Sequence, residues 1–290
     1  MTPSRRRFLA CAAAAALTPR GAFAGVDHPI AARLSRELEA AGCAERSAIR
    51  GTLSRLRRLA LPSSGRLVVV NVAGRFLAAY RDGEPELESR VVVGREGWHT
   101  PDLATSVEAV FLNPTWTVPE TILRDEGWRR EIASDPDWAE RNGFDVVVGG
   151  RPVSAGRIGA ADLSRATLVQ RPGADNALGR VKISMRNAGS IYLHSTNAVE
   201  GYDDPDRADS HGCVRVEQAV DLAAWIVGTP SDDLTAEIES EARSVKRGFA
   251  PVAVVFGYFT AWPDASDRIV FYPDIYNRDG AGCGREDAAR

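Results

Sequence analysis

The chain has 290 residues, a formal net charge of −3, and 44% hydrophobic and 26% charged residues. This length and composition fit a globular protein of one or two domains and exclude a disordered or fibrous chain. The acidic balance, with no long basic run beyond the N-terminus, argues against nucleic-acid binding and electrostatic attachment to membranes.

The first 24 residues have the pattern of an export signal. Arg5, Arg6 and Arg7 precede an apolar run from Phe8 to Leu17, and small residues follow up to Ala24. This pattern predicts a signal peptide over residues 1–24, similar to the twin-arginine type, because the run is too short to span a bilayer. An uncleaved anchor is the alternative. Cleavage removes four arginines and no acids, and so lowers the net charge to −7.

Helical and strand patterns then divide the chain. Apolar residues recur at three- and four-residue steps from His28 to Ala60, which predicts an N-terminal helical segment within residues 25–64. From residue 65 the chain consists mostly of short apolar runs separated by turn residues, which predicts strands. These runs are RLVVVNV, FLAAY, SRVVVG, SVEAVFLNPTWTVP, FDVVVGG, TLVQ, RVKISM, SIYLH, GCVRV, PVAVVFGYFTAW and RIVFYPDIY.

Helical spacing also appears between residues 120 and 142 and between residues 217 and 227. The pattern favours a mainly β fold, an antiparallel barrel or sandwich with a few peripheral helices. We predict a catalytic domain over residues 65–278 and a loose C-terminal tail over residues 279–290.

Two of the four histidines and one of the four cysteines lie between residues 192 and 225. His194 ends one predicted strand and Cys213 begins another, 19 residues later, so the two side chains can be neighbours in space. A thiolate is a strong nucleophile, and a nearby imidazole is the usual means of generating it. Backbone N–H groups of the turn Ser210-His211-Gly212-Cys213 can form an oxyanion hole, and Gly212 suits a close substrate approach.

Two other interpretations stay open at this point. A buried cysteine near an unrelated histidine is a common structural feature. His194, His211 and Cys213 could also bind a catalytic zinc, with the acidic loop around Asp203, Asp204, Asp206 and Asp209 adding oxygen ligands.

The segment IYLHST…RADSHGCVRVE resembles the signature of the L,D-transpeptidase catalytic domain of the YkuD type. The resemblance covers residues 66–279, and its further blocks are similar to those of the large Gram-negative murein L,D-transpeptidases. These blocks are VVVGREGWHTP, NPTWTVP, QRPGADNALGRVKI, YFTAW and DIYNRD. The chain departs from that branch in having Ser195 where an acid is common, in its acidic loop, and in showing no evident wall-binding module.

The resemblance implies a β-sandwich or barrel-like fold and a role for each matching residue. Cys213 would be the nucleophile and His194 the general base, oriented by a backbone carbonyl near Ser195. His211 and Gly212 would shape the turn and the oxyanion site. Substrate-binding residues would be Tyr192, Ser195, Asn176, Gly179 and Arg215. Turn and core packing is the alternative for Asn176, Gly179 and Tyr192, and a structural ion pair is the alternative for Arg215.

The implied reaction is acyl transfer on peptidoglycan in the periplasmic or cell-wall compartment, without a metal or organic cofactor. Cys213 would release the terminal D-alanine of a tetrapeptide stem and pass the acyl group to an amine of a second stem, forming a 3-3 crosslink. Carbapenems would acylate the same cysteine. A carboxypeptidase or other hydrolase of the same linkage is the alternative within enzymes, and a non-catalytic wall-binding protein the alternative outside them.

The remaining aromatic and sulfur residues are less specific. Trp116, Trp128 and Trp138 would form either a lid over the site or part of the core. With Cys213 in the site and Cys11 in the signal, Cys43 and Cys283 are predicted to form a disulfide between the N-terminal helices and the tail.

Overall fold

The structure is a computed structural model that describes residues 28–280. The predicted signal peptide and most of the predicted tail, including Cys283, lie outside these residues. Among the residues described, no helix combines the length and the apolar character needed to cross a membrane.

Sixteen strands are present in this part of the chain. Their bounds are β1 Arg66–Asn71, β2 Phe76–Arg81, β3 Glu84–Gly94, β4 Leu103–Leu112, β5 Trp116–Thr117, β6 Phe144–Val148, β7 Arg151–Val153, β8 Thr167–Gln170, β9 Val181–Met185, β10 Leu193–His194, β11 Ala208–Ser210, β12 Val214–Val216, β13 Ser244–Lys246, β14 Val252–Gly257, β15 Ala261–Pro263 and β16 Ile269–Phe271.

The same residues form eight α-helices. Their bounds are α1 Pro29–Glu37, α2 Cys43–Leu59, α3 Glu120–Asp125, α4 Trp128–Ser134, α5 Trp138–Arg141, α6 Ala160–Leu163, α7 Ala219–Val227 and α8 Ser231–Glu239. The predicted fold class is confirmed: the protein is rich in strands, with helices around a large sheet.

The large sheet closes on itself as a barrel. Its strands follow the order β3-β12-β10-β9-β4-β14-β1-β2, and β2 pairs again with β3. Closure is possible because β3 is eleven residues long. Its first part pairs with β2, and Val91 and Val92 near its end pair with β12. Strand β11 adds to β3, and β13 adds to β4.

The sequence pattern predicted an antiparallel barrel, but the barrel contains two parallel strand pairs. Strand β1 is parallel to β14, and β10 is parallel to β12. A parallel pair needs a crossover of a dozen or more residues. The segment between His194 and Val214 provides one, and most of the chain separates β1 from β14.

The side chains inside the barrel form the main core. Alternate residues of the strands point inward, such as Val68 and Val70 of β1 and Val214 and Val216 of β12. Helix α7 completes this core with Leu222 and other apolar residues. The predicted helix over 217–227 is therefore confirmed for Ala219–Val227.

The N-terminal helices cover one outer face of the barrel. Apolar residues of α2, including Ile49, Leu53 and Leu56, pack with Leu67 and Val69 of β1. Both faces of β1 are thus buried, which explains why it reads as a continuous apolar run. The predicted helical segment is confirmed.

Residues 116–170 form a smaller unit, here called the cap. Its sheet has the order β5-β8-β6-β7, with α3 to α6 packed around it. Trp116, Trp128 and Trp138 pack with Phe144 in its core, with ring centroids 5.3–6.5 Å from Phe144. The cap inserts between β4 and β9, which are paired in the barrel, and this position holds it beside them.

The start of the tail is anchored, contrary to the prediction of a loose end from residue 279. Asp279 Oδ1 lies 2.6 Å from Arg55 Nη1 of α2, and both side chains are 8% exposed. The Ser47 hydroxyl donates to the Asp279 carbonyl at 2.8 Å. Cys43 is disulfide-bonded. Since Cys283 lies outside the described residues, its pairing with Cys43 stays a prediction.

Candidate active site

A cleft of about 1220 Å³ lies between the outer face of the barrel and the cap. The barrel side is formed by β4, β9, β10 and β12, and the cap side by residues that include Trp116 and Trp128. His194 and Cys213 both line this cleft. Trp116, Trp128 and Trp138 all pack in the core of the cap, and Trp116 and Trp128 also line the cleft.

One row of side chains crosses the floor of the cleft. Phe111 of β4 is paired with Lys182 of β9, Lys182 with His194 of β10, and His194 with Arg215 of β12. Directly paired residues point to the same face of a sheet. Their chain neighbours, such as Ile183 and Leu193, point into the barrel core. We call these four residues the cleft row.

Cys213 lies in the turn directly before β12, and hydrogen bonds hold this turn. Gly212 has a φ of +101°, which favours glycine, and its carbonyl accepts from Thr100 Oγ1 at 2.9 Å. Ser210 Oγ donates to the Cys213 carbonyl at 2.5 Å and accepts from Gly212 N at 3.1 Å. The turn thus presents the Cys213 side chain to the cleft with its backbone fixed.

The thiol is the free cysteine among the residues described. Burial raises the pKa of Cys213 above its usual value. The Tyr192 backbone amide, the Tyr192 hydroxyl and the Lys182 ammonium act in the opposite direction, because each stabilises a thiolate. At neutral pH the resting group is the thiol, which needs a base to become a nucleophile.

His194 is 6% exposed and fixed by one hydrogen bond. Its Nδ1 lies 2.5 Å from the Ser195 carbonyl oxygen, so Nδ1 carries the proton and Nε2 has the free lone pair. Burial lowers the pKa of His194 to about 3, and the charges of Arg215 and Lys182 act in the same direction. The imidazole is therefore neutral at physiological pH and can accept a proton.

A free thiol directly before β12 and a neutral imidazole on β10 thus line one cleft, and these two strands are parallel neighbours. The family model of the YkuD L,D-transpeptidase catalytic domain matches residues 65–248 of this chain. The chain belongs to the L,D-transpeptidase catalytic domain family.

A curated relative supports the same assignment. The chain is similar to a putative L,D-transpeptidase of Haemophilus influenzae, with 31% identity over 219 residues, which is 73% of this chain and 44% of that protein. The chain therefore spans less than half the length of this relative.

Solved structures of L,D-transpeptidases match at low identity. One from Mycobacterium smegmatis has 13% identity and a TM-score of 0.31, covering 67% of this chain and 59% of the other. L,D-transpeptidase 3 from Mycobacterium tuberculosis has 11% identity and a TM-score of 0.33, covering 67% and 61%. A complex of the L,D-transpeptidase LdtMt1 with imipenem has 11% identity and a TM-score of 0.28, covering 67% and 59%.

In this L,D-transpeptidase domain, three of the predicted substrate-binding residues lie behind the cleft wall instead. Ser195 Oγ accepts from the backbone N–H groups of Arg180 and Val181 at 2.8 and 2.9 Å and donates to the Leu178 carbonyl at 3.0 Å. The Ser195 hydroxyl is thus fully hydrogen-bonded to backbone groups of the fold. The contribution of Ser195 to the site is its carbonyl, which orients His194.

Asn176 is 1% exposed, and its side chain bonds only to backbone groups, at Pro114, Arg171 and Leu178. Gly179 has a φ of +60° and approaches Ser195 closely. Both residues shape the loop before β9, in agreement with the alternative of turn and core packing. Tyr192 and Arg215, by contrast, do line the cleft.

His211 faces the cap rather than the sulfur. Its Nε2 lies 3.2 Å from Asp125 Oδ2, 3.2 Å from Glu126 Oε1 and 3.0 Å from Arg95 Nη2. The described residues thus group His211 with Asp125 and Glu126, and not with His194 and Cys213 as in the zinc alternative. The Arg95 guanidinium also pairs with these carboxylates, so His211 and Arg95 connect the turn before β12 to the cap.

The sequence analysis predicted that backbone N–H groups of the Gly212-Cys213 turn form an oxyanion hole, but the structure engages the Gly212 N–H elsewhere. Its N–H donates to Ser210 Oγ within the turn, so it is engaged in holding the loop. The backbone N–H of Cys213, next to the sulfur, is the group of this turn that is left for an oxyanion.

Sequence reasoning missed Lys182 and Phe111 of the cleft row. One signal was available: only two of the 36 cationic side chains are lysines, Lys182 and Lys246. The position of Lys182 beside His194 depends on strand pairing, which no local pattern reveals.

Proposed function

We propose that this domain is an exported cysteine acyltransferase that forms 3-3 crosslinks in peptidoglycan. The supporting observation is the pair of Cys213 and a neutral, oriented His194 in one cleft. Membership of the L,D-transpeptidase family directs this chemistry to the bond before a terminal D-alanine in a tetrapeptide stem.

The first half-reaction forms a thioester. Cys213 Sγ attacks the carbonyl carbon of the donor stem while its proton passes to His194 Nε2, and negative charge develops on the carbonyl oxygen near the Cys213 N–H. The tetrahedral intermediate then breaks at the C–N bond. The protonated imidazole returns the proton to the departing amine of D-alanine.

The low pKa of His194 favours this second proton transfer. An imidazolium ion with a pKa of about 3 is a strong acid and delivers its proton readily to a leaving amine. The same value makes the first transfer unfavourable unless other groups stabilise negative charge on the sulfur.

In the second half-reaction, an amine of an acceptor stem attacks the thioester and loses a proton to His194. The Cys213 sulfur leaves and regains a proton, which restores the free enzyme. The volume of the cleft supports an acceptor peptide as well as a donor, because about 1220 Å³ exceeds the range of roughly 300–1,000 Å³ for a single small-molecule site.

Three further parts of the proposal follow from the family and the sequence. Residues 1–24 act as the export signal, residues 65–278 form the catalytic domain, and carbapenems acylate Cys213. A complex of a family member with imipenem supports the last point by analogy.

Intact-mass spectrometry tests the function directly. The protein without residues 1–24, and its Cys213→Ala variant, are incubated with a disaccharide-tetrapeptide and separately with a carbapenem. We expect a wild-type adduct equal to the donor minus D-alanine, none on the variant, and a crosslinked dimer as product. A tripeptide product without dimer would assign hydrolysis instead, and a folded protein that forms no adduct would refute the proposal.

A further inference from the structure

Lys182 is an unusual residue for this chain. Arginine supplies all but two of its 36 cationic side chains. The other lysine, Lys246, forms an ordinary ion pair, with its Nζ 2.6 Å from Glu237 Oε2. Lys182 instead lies in the cleft row, on β9, between Phe111 and His194.

The Lys182 ammonium has aromatic neighbours but no acidic partner. Its Nζ lies 4.3 Å from the ring centroid of Tyr192 and 5.9 Å from that of Phe111. Within residues 28–280, no carboxylate lies within ion-pair distance of Lys182. Burial disfavours the charged form of Lys182, so an ammonium in this cleft without a carboxylate partner points to a group that supplies negative charge during function.

Cys213 is the group that fits this requirement. Burial lowers the pKa of Lys182, and a negative charge on the Cys213 sulfur opposes this effect. Tyr192 lies between the two residues in effect, since its ring packs against the ammonium and its amide and hydroxyl lower the pKa of the Cys213 thiol.

The other charged side chains that line the cleft do not replace Lys182 as a cation beside the thiolate or Cys213 as an anion beside Lys182. Arg215 Nη1 lies 3.8 Å from Asp209 Oδ2, and its Nη2 donates to the Asp209 carbonyl at 3.2 Å. Arg243 is exposed and directly precedes β13, which pairs with β4, three strands away from β12. Among the described residues that line the cleft, Glu126 is the acid, and it faces His211.

His194 is also poorly suited to be the positive partner of a thiolate. Lys182 and Arg215 flank it in adjacent strands, so a proton on its imidazole is opposed by a cation on each side. A lasting thiolate–imidazolium pair is therefore disfavoured in this cleft.

We propose that Lys182 is the fixed positive charge that stabilises the Cys213 thiolate, so that His194 only relays the proton between the sulfur and the amine. The inference rests on the proposed function for its place in the reaction, but it concerns a property of the free enzyme. Lysine suits the position because its compact ammonium fits over the Tyr192 ring.

The rate of alkylation of Cys213 by iodoacetamide as a function of pH tests the proposal without any peptidoglycan substrate. Peptide mass mapping assigns the modification to Cys213. We expect Lys182→Met to raise the apparent pKa of the thiol by about one unit, which lowers the alkylation rate near neutral pH by about tenfold. Lys182→Arg should keep the wild-type midpoint to within about 0.3 units, since it preserves the charge.

Lys246→Met is the matched control, because it removes the only other lysine, and it should leave the midpoint unchanged. Lys182→Gln repeats the neutral substitution in case Lys182→Met fails to fold, as judged by near-ultraviolet circular dichroism. An unchanged midpoint in the folded neutral variants would overturn the proposal. An equal shift in Lys182→Arg would also overturn it, because charge would then not be the cause.

The tetrapeptide assay is run on the same samples. If the midpoint shifts as expected but no variant and no wild-type protein releases D-alanine, then the proposed function fails while the charge assignment stands. If D-alanine is released but the midpoint does not move, the function stands and the role of Lys182 is refuted.

Discussion

The Ser195 hydroxyl occupies the space that a side chain at position 179 would need. A β-carbon built on Gly179 lies 2.4 Å from Ser195 Oγ and 2.7 Å from Thr196 N, and the φ of Gly179 is +60°. This close approach lets Ser195 Oγ accept hydrogen bonds from the backbone that leads into β9. It thereby fixes the carbonyl that orients His194.

Gly179→Ala is expected to lower the free energy of unfolding by about 2–4 kcal/mol, since it combines an unfavourable φ with a clash against backbone. The same change should displace Ser195 and reduce the rate of Cys213 acylation. Urea denaturation and single-turnover acylation measure the two effects.

Gly149→Ala is the control for the backbone conformation alone. Gly149 has a φ of +56°, and nothing lies within 4 Å of a β-carbon at that position. It should cost only about 1 kcal/mol, the usual penalty for a left-handed residue. Equal losses in the two variants would show that the contact with Ser195 does not matter.

Thr100 links the end of β3 to the turn that contains Gly212 and Cys213. Its buried hydroxyl donates to the Gly212 carbonyl at 2.9 Å and accepts from the Gly94 amide at 2.9 Å. Thr100→Val should cost about 1–3 kcal/mol, because both backbone groups lose their partner in the interior. Release of the turn should slow Cys213 acylation by about ten- to a hundredfold.

Thr105→Val serves as the comparison, since its hydroxyl makes a single, more exposed bond to the Arg186 carbonyl at 2.8 Å. Its effect on both readouts should be small. An acylation rate unaffected by Thr100→Val would contradict the role of Thr100 in positioning Cys213.

The low pKa of His194 predicts a dependence of stability on pH. The folded protein keeps His194 neutral down to about pH 3, whereas the unfolded chain protonates it near its ordinary value of 6.5. Between these values the unfolded state binds more protons. Protonation of His194 therefore does not change stability above pH 6.5, and below pH 6.5 the free energy of unfolding falls by up to about 1.4 kcal/mol per pH unit.

Urea denaturation between pH 7.5 and 4 checks this by comparing wild type with His194→Gln. The difference in unfolding free energy between the two should shrink as the pH drops below 6.5. His28, whose pKa burial also lowers, is present in both proteins and cancels. Parallel curves over the whole range would mean that His194 does not titrate in this way.

Much of the candidate site follows from local sequence. The turn Ser210-His211-Gly212-Cys213 and the strand that ends at His194 carry their chemistry in residue type and spacing. The alternating and continuous apolar runs predicted the strands, and the three- and four-residue spacing predicted α1, α2 and α7, because these periods depend on residues near one another in the chain.

The roles of side chains outside that motif could not be predicted from local sequence. Ser195 and Asn176 were assigned to substrate binding, yet their polar groups satisfy backbone groups of the loop before β9. Whether a short polar residue faces a cleft or a buried amide depends on where the surrounding backbone folds. His211 likewise faces Asp125 and Glu126 of the cap, which lie 86 and 85 positions earlier in the chain.

By itself the sequence determined the strand-rich fold and the family, and it predicts Cys213 as the nucleophile and His194 as its base, because these depend on residue identity and short-range periodicity. Only the tertiary structure decided that Lys182 and Arg215 flank His194 and that the cap and Cys213 line one cleft. The physical reason is register: a shift of one residue in the pairing of β9, β10 or β12 would turn the cleft row into the barrel core. That register is set by the burial of side chains from distant segments, and no stretch of the chain contains it alone.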